Sequence, residues 1–493
     1  MKTKVTASAI IGYRNGHNVI YRNGSLIYEG DRILEVGVQV KGPWDVQLDL
    51  GEAVICPGFI DMNALGDIDH ELFYAGQSDS EKFYWSPRYL ANGPHEAMTP
   101  EEEAFKSLYA YAQLISHGVT TAMPITSVYH KRAGETLEEI EAAAQYARRL
   151  GLRVYLGPSY LSAQHVYDPQ TRQLSVQPIV GEDGEGLERA KAFALEHERD
   201  TDDIVHPVMV PERVELQSQG TLVETKRFAR EHDLPVRLHA AQGAFEYRYI
   251  MEHHHMPTVQ YLDSIGFLDS RTLIPHALYT SGYHDIEDQS DDDLDVLRDR
   301  GSIVIHCPLV YARGGKRLES FARFRRHGIR LCMGSDTFPP DMLRNIRAGS
   351  AMSQSVDGPS PDSGYRAFFE AATIGGADAL GRPDLGRLAP GCKADFIAVS
   401  LADFGVGTTG DPLTTICMMA CGSNVFHSVI NGRTAMSDGV IPGLDYDALR
   451  HKAQRYYDKF RASAIERSSF GAMSGDGSLD ADHFFQTPYD IVG

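Results

Sequence analysis

Arg330-Leu331-Cys332-Met333-Gly334-Ser335-Asp336 is the stretch whose reading decides the fold. Apolar residues are dense up to Met333; Gly334 and Ser335 then break the run and deliver one carboxylate, Asp336. The spacing predicts a buried strand with chemistry at its carboxyl end. Two earlier runs finish the same way: Leu234-Pro235-Val236-Arg237-Leu238 delivers His239, and Thr272-Leu273-Ile274-Pro275 delivers His276. Polar residues at the carboxyl ends of successive strands are the habit of a (β/α)8 barrel. Two imidazoles and a carboxylate gathered there are a set of divalent-metal ligands, which predicts a metal-dependent hydrolase.

Working outward, strand candidates fall at 54–61, 119–126, 152–159, 203–210, 234–239, 272–277, 302–307 and 329–336. Helix candidates lie between them. One runs from Thr99-Pro100-Glu101-Glu102-Glu103 to His117-Gly118, with a capping threonine, proline and acids in the first turn and glycine at the exit. Another covers about 135–150 and stops at Gly151; others cover roughly 184–199, 221–232, 290–300, 316–327 and 341–354. This alternation favours a closed α/β barrel (a TIM barrel) over an open doubly wound sheet, which would carry a Gly-rich phosphate loop after its first strand.

Residues 8–55 read as short strands with hairpin punctuation at Asn15-Gly16, Asn23-Gly24 and Gly30-Asp31, and similar β-rich pieces return at 391–399 and 428–433. One small β-sandwich built from both chain ends is expected. The predicted organisation is residues 1–56 and 381–440 for that module, 57–380 for the barrel, and 441–493 for a helix from Tyr446 to about Ala462 and a polar tail.

The totals bound the function. The chain has 493 residues and a net charge of −20, which argues against general electrostatic binding of nucleic acid or anionic membrane. Six cysteines in no CxxC pair argue against both a disulfide framework and thiolate zinc. With no signal-peptide core and no run of about 20 apolar residues, a soluble cytoplasmic protein acting on a small molecule is expected.

The sequence resembles the amidohydrolase superfamily, particularly its triazine-hydrolase-like aminohydrolase and chlorohydrolase branch. The matching pieces are Pro57-Gly58-Phe59-Ile60-Asp61, His239, His276-Ala277-Leu278, His306-Cys307-Pro308, Gly334-Ser335-Asp336 and the closing stretch from Gly386 to Phe396. The resemblance spans about residues 8–435 and implies a metal-dependent barrel, a composite β-sandwich, hydrolytic attack at carbon and a homo-oligomer. Two departures stand out. The family continues its first-strand motif with x-His-x-His, both metal ligands, where this chain has Met62-Asn63-Ala64-Leu65. Asn63 offers a neutral amide oxygen and Leu65 nothing. Asp67, Asp69 and His70 follow and could substitute only if the loop folds back. The branch also often places Glu three residues after the fifth-strand histidine, as a proton shuttle; here Gln242 hydrogen-bonds but cannot titrate. An Asn at the first histidine position is similar to the phenylurea and molinate hydrolase group.

These readings give one divalent transition metal per chain (zinc foremost, with Co, Fe or Mn compatible) on His239, His276, Asp336 and Asn63. Asp336 is the expected catalytic base and His276 the group that stabilises an oxyanion or orients water. The expected reaction is cleavage of a C–N bond in an amide, urea or carbamate. The alternative is a ring deaminase or dechlorinating aminohydrolase on an N-heterocycle, and a further alternative is an inactive barrel kept for binding. Blander readings are preferred for His253-His254-His255 (solvated loop or helix end), for His165, Tyr160 and Tyr167 (packing) and for Asp291-Asp292-Asp293 (acidic first helical turn). His306 reads equally as a core or a substrate-contacting residue. Phe83 to Tyr89 reads as an apolar wall or lid, or as a subunit interface.

Overall fold

The computed structural model describes residues 1–68, 84–126, 131–182, 184–318 and 320–468. The chain opens with β1 (Lys2–Arg14), β2 (His17–Glu29), β3 (Arg32–Gly37), β4 (Val46–Asp49) and β5 (Ala53–Pro57). The middle contributes β6 (Phe59–Leu65), β7 (Val119–Ile125), β8 (Arg153–Leu156), β9 (Ser159–Tyr160), β10 (Ala163–Asp168), β11 (Gln173–Pro178), β12 (Val205–Pro207), β13 (Val210–Pro211), β14 (Val236–Arg237), β15 (Thr272–Pro275), β16 (Ile303–His306) and β17 (Arg330–Met333). The end supplies β18 (Phe396–Ser400), β19 (Val425–Ile430) and β20 (Arg433–Met436).

Strands from both ends share one sheet, in the order β20-β19-β18-β5-β1-β2-β3, with β4 beside β1. The join is antiparallel, Val54 opposite Val399. Eight of the middle strands form two four-stranded sheets, β12-β8-β7-β6 and β14-β15-β16-β17, with parallel neighbours throughout, and β9 and β13 form a parallel pair of their own. Main-chain bonds bridge the two sheets on both sides. Met209 N donates to Pro235 O at 3.0 Å and Arg237 N to Met209 O at 3.0 Å, while Asp336 N donates to Asn63 O at 2.9 Å. All eight anticipated strand positions are occupied, but the first, 54–61, is divided between β5 of the two-ended sheet and β6 of the parallel strands, and the third and fourth are interrupted into β8/β9 and β12/β13. At Gly157, between β8 and β9, a Cβ would stand 2.1 Å from Val208 O, so only glycine allows the neighbouring strand to approach.

Strand alternation separates two cores. Leu273, Ile303, Ile305, Cys307 and Cys332 pack with Ile60, Met62, Met123 and Val210 in one cluster. Their neighbours Ile274, Val304, Leu331 and Met333 pack in another with helical residues such as Leu114, Leu297, Phe324 and Ile346. The helices begin where expected: Pro100–Ser116 and Leu137–Leu150 both start in capping boxes, Thr99 with Glu102 and Thr136 with Glu139. The helix expected over 316–327 is shorter, Phe321–Arg326, and an additional one, Pro308–Arg313, follows β16 directly. The antiparallel pair β10–β11 was not anticipated, because its second strand, Gln173–Pro178, is short and its apolar face is only the half-buried Leu174 and Val176. The last helix is longer than expected, Tyr446–Arg467. The polar tail from 469 lies outside the described residues. Among the described residues no helix is long and apolar enough to cross a membrane.

A charge cluster fastens the two-ended sheet to the parallel strands. Arg153 on β8, fully buried, pairs with Asp395 and, at 3.1 Å, with Asp203. Lys393 reaches Asp31 at 2.6 Å and Asp203 at 2.7 Å, and Arg382 reaches Asp203 at 2.8 Å. Against its burial, a hydrogen bond with His206 at 3.1 Å and then these cations hold the Asp203 carboxyl far below the usual range. Removing one partner of a buried pair leaves an uncompensated charge, at a cost of about 3–5 kcal/mol. Arg153→Met should therefore lower the urea midpoint strongly, and Arg153→Met with Asp395→Asn should recover part of the loss. A midpoint unchanged in the single variant would show the cluster to be dispensable.

Candidate functional site

His239 follows β14, His276 follows β15 and Asp336 stands three residues past β17, so parallel strands carry all three to the same end of the sheet. The two imidazole rings have centroids 5.3 Å apart, and His276 Nε2 is 3.5 Å from Asp336 Oδ2. The backbone there is forced. Ala241, His276, Ala277 and Asp336 have φ of 52°, 77°, 48° and 45°, in the left-handed region that costs a non-glycine residue roughly 1–3 kcal/mol. Such strain persists only where the surroundings impose it, and it clusters at functional sites.

The hydrogen bonds leave the imidazoles available. His239 Nδ1 lies 3.0 Å from Glu212 O, an acceptor, which fixes the proton on Nδ1 and leaves the lone pair on Nε2. Both ring nitrogens of His276 are buried without a hydrogen-bond partner. Burial, and next the Arg213 guanidinium, hold both histidines well below the usual imidazole range, so they are neutral. Desolvation acts oppositely on Asp336, whose carboxyl is pushed up to about 7, partly offset by Arg213.

The loop after His239 is fixed by Glu246, whose carboxylate accepts from Ala241 N at 2.8 Å and Gln242 N at 2.7 Å. Gln242 Oε1 accepts from Arg213 Nη1, which orients the amide and turns its NH2 group toward the Tyr311 hydroxyl.

Other candidates separate clearly. Asn63 is buried beside Cys307, with Nδ2 3.9 Å from Sγ. Asp67 is committed to the buried Lys106 at 2.9 Å, so it is not a spare ligand; Asp69 and His70 lie outside the described residues. His306 is a core residue, between Phe321 and Phe368 at 5.4 and 5.9 Å, and burial pushes it down to about 3. His165 contacts Glu215 at 3.2 Å, and Tyr160 bonds Thr225 at 2.7 Å. Tyr167 pairs into β10–β11 opposite Leu174. The three consecutive histidines close the helix Ala244–His254, with His255 as its left-handed cap, and Asp291 precedes the helix Asp292–Arg300. Trp85 and Tyr89 are buried; Tyr167 N donates to Trp85 O and Ser86 N donates to Arg467 O, both at 2.9 Å. Phe83 is outside the described residues.

Sequence reasoning missed two residues. Glu212 follows β13 and is buried against Arg213 at 3.1 Å, with its carboxyl pushed up to about 7. The run Val208-Met209-Val210-Pro211-Glu212 carries the same signature as the other strand ends, two residues beyond the expected boundary. Cys307 is the other, and alternation on β16 was its signal, since Ile303, Ile305 and Cys307 face one way and His306 the other.

Residues 54–435 match the amidohydrolase family profile. The chain belongs to the amidohydrolase family. It is a hydrolase of the class acting on carbon–nitrogen bonds other than peptide bonds. Among curated relatives it is 22% identical to the 5-methylthioadenosine/S-adenosylhomocysteine deaminase of Thermodesulfovibrio yellowstonii, over 94% of this chain and 100% of that one. It is 24% identical to the 8-oxoguanine deaminase of Pseudomonas aeruginosa, over 87% of this chain and 94% of the relative. Among solved structures, an adenosine deaminase from Xanthomonas campestris with bound zinc matches with a TM-score of 0.77 at 16% identity, over 93% and 98% of the two chains. A variant of the atrazine chlorohydrolase of Arthrobacter aurescens with zinc and atraton matches with a TM-score of 0.74 at 16% identity, over 92% and 100%. Family and likeness together give this amidohydrolase a TIM-barrel-type α/β fold.

One acid in this region offers a pH test. Asp61 is fully buried, accepts Ser335 N at 2.9 Å, and is pushed up to about 6 by burial. A raised carboxyl keeps in the folded state a proton that the unfolded chain loses near pH 4, so it reduces stability as pH rises from about 4 to 6. Asp61→Asn removes that titration. Its stability relative to wild type should rise by roughly 2 kcal/mol between pH 4 and 7 in urea denaturation. An offset that does not vary with pH would mean that Asp61 titrates normally.

Proposed function

We propose that this amidohydrolase is a metal-dependent aminohydrolase that replaces the amino group of a nitrogen heterocycle with oxygen, releasing ammonia. The reading rests above all on His276: a buried imidazole with both nitrogens unpartnered, held in a strained backbone 3.5 Å from a carboxylate. Two neutral imidazoles and a carboxylate fit a borderline divalent ion, and His239 Nε2, His276 and Asp336 would hold it, with Asn63 or water completing the set. Zinc is favoured, since the adenosine deaminase and chlorohydrolase neighbours carry it. When bound, the ion supplies the Lewis acidity that makes water nucleophilic near neutral pH.

The chain's own groups do the rest. Asp336 accepts the proton of the attacking water and returns it to the departing nitrogen. The Gln242 amide, oriented by Arg213, donates to a ring nitrogen but moves no proton. The deaminase names of the curated relatives favour this leaving group. Cleavage of a urea, carbamate or amide stands second, favoured by Asn63 and Gln242 in place of the family's usual His and Glu. In this reading residues 57–380 form a closed (β/α)8 barrel, and residues 1–56 and 381–440 its composite sheet module. Residues 441–493 hold the last helix and the tail.

Purified protein should hold about one zinc per chain and release ammonia from aminopurine nucleosides or aminated triazines. Asp336→Asn should cut kcat by about 10²–10⁴-fold, and His239→Ala should lose the metal. Release of an aniline from a phenylurea, with no ammonia from the heterocycles, would move the assignment to the second reading. Protein that takes up no metal would end both.

A further inference from the structure

Cys307 Sγ, one nitrogen of His276 and a carboxylate oxygen of Asp336 all lie within 4.8 Å of one another. Ligand atoms at 2.0–2.3 Å around a tetrahedral ion are about 3.5 Å apart, so side-chain rotations of roughly an ångström would close this set. The thiol is fully buried, and the contacts of its sulfur are weak: Asn63 Nδ2 at 3.9 Å and Ile305 O at 4.0 Å. Around it, three further polar atoms are buried with no hydrogen-bond partner: both nitrogens of His276 and Oδ1 of Asn63. Each such orphan ordinarily costs about 1–3 kcal/mol, so three weakly engaged side chains gathered here, Cys307, His276 and Asn63, point to an occupant that satisfies them together.

The backbone is built to bring these groups together. A Cβ on Gly334 would lie 2.7 Å from Asn63 Cβ and 3.0 Å from Cys307 Sγ, so glycine at the end of β17 is what lets β6, β16 and β17 converge. The first strand, meanwhile, supplies only Asn63 where two imidazoles would be expected, leaving the set short of strong donors on this side.

We propose that Cys307 is a metal ligand, giving a mixed thiolate, imidazole and carboxylate site in which sulfur takes up the coordination that β6 does not provide. The inference rests on the metal-dependent reading above. On metal uptake the Cys307 S–H bond breaks, the sulfur keeps the electron pair, and the proton leaves to solvent, one per ion bound. A soft sulfur donor shifts preference toward zinc and cobalt and away from manganese and magnesium.

X-ray absorption of the zinc-loaded full-length protein tests this without any substitution. A zinc–sulfur shell near 2.3 Å, with one sulfur per ion, is expected. The cobalt-loaded protein should show a near-ultraviolet sulfur-to-cobalt charge-transfer band. Cys307→Ser should abolish that band and weaken zinc binding at least about tenfold, whereas Cys332→Ser, the neighbouring buried thiol, should keep it. One zinc per chain with only nitrogen and oxygen neighbours overturns the assignment of Cys307 and leaves metal-dependent hydrolysis standing. Absence of any metal uptake by wild type overturns both. Should Cys307→Ser fail to fold, the wild-type absorption spectrum alone decides.

Discussion

The first and eighth parallel strands meet through one carboxylate. Asp61 accepts the Ser335 amide at 2.9 Å and the Ser335 hydroxyl, and Asp336 N donates to Asn63 O at 2.9 Å two residues further along β6. Without that clasp neither Asn63 nor Asp336 has a fixed place, and the left-handed turn at Asp336 has nothing to hold it. The interaction is expensive in isolation, because Asp61 is desolvated, and this is why its oxygens must be met by main-chain and hydroxyl donors. The strand ends are therefore positioned by a polar lock inside an apolar interior.

The charges near the site are arranged to a common effect. Arg213 and the buried Arg237 are the cations, Arg237 donating to Met123 O at 2.6 Å and Pro124 O at 2.9 Å across the interior. Asp61, Glu212 and Asp336 are the acids, all raised by burial. Burial first, and positive charge next, keep the imidazoles neutral, and burial keeps the acids close to their protonation point. A dication entering such a site would meet lone pairs rather than imidazolium.

Much of this was legible in the sequence, and the reasons differ by element. Parallel strands buried on both faces read as continuous apolar runs, so β7, β15, β16 and β17 and the polar residues that end them stood out. Helix starts were legible because Thr99 and Thr136 carry their capping partners three residues on. The pair β10–β11 was not, since the apolar face of Gln173–Pro178 is only two half-buried residues, Leu174 and Val176. Spacing along the chain also hid Cys307: it lies in no CxxC, and its neighbours Asn63 and Asp336 come from distant strands. Strand alternation held the missing information, because it turns His306 toward Phe321 and Cys307 toward the interior.

The antiparallel join of β5 to β18 has a consequence for how the chain is made. Val54 leaves the ribosome roughly 350 residues before its partner Val399, and synthesis at about 5–20 residues per second puts roughly 20–70 s between them. Throughout that interval one edge of β5 has no strand to pair with, while the segments that follow it are already emerging. Nascent chains of this protein are therefore most exposed to strand-exchange and aggregation at their beginning, and the last hundred residues act as the cover that ends the exposure.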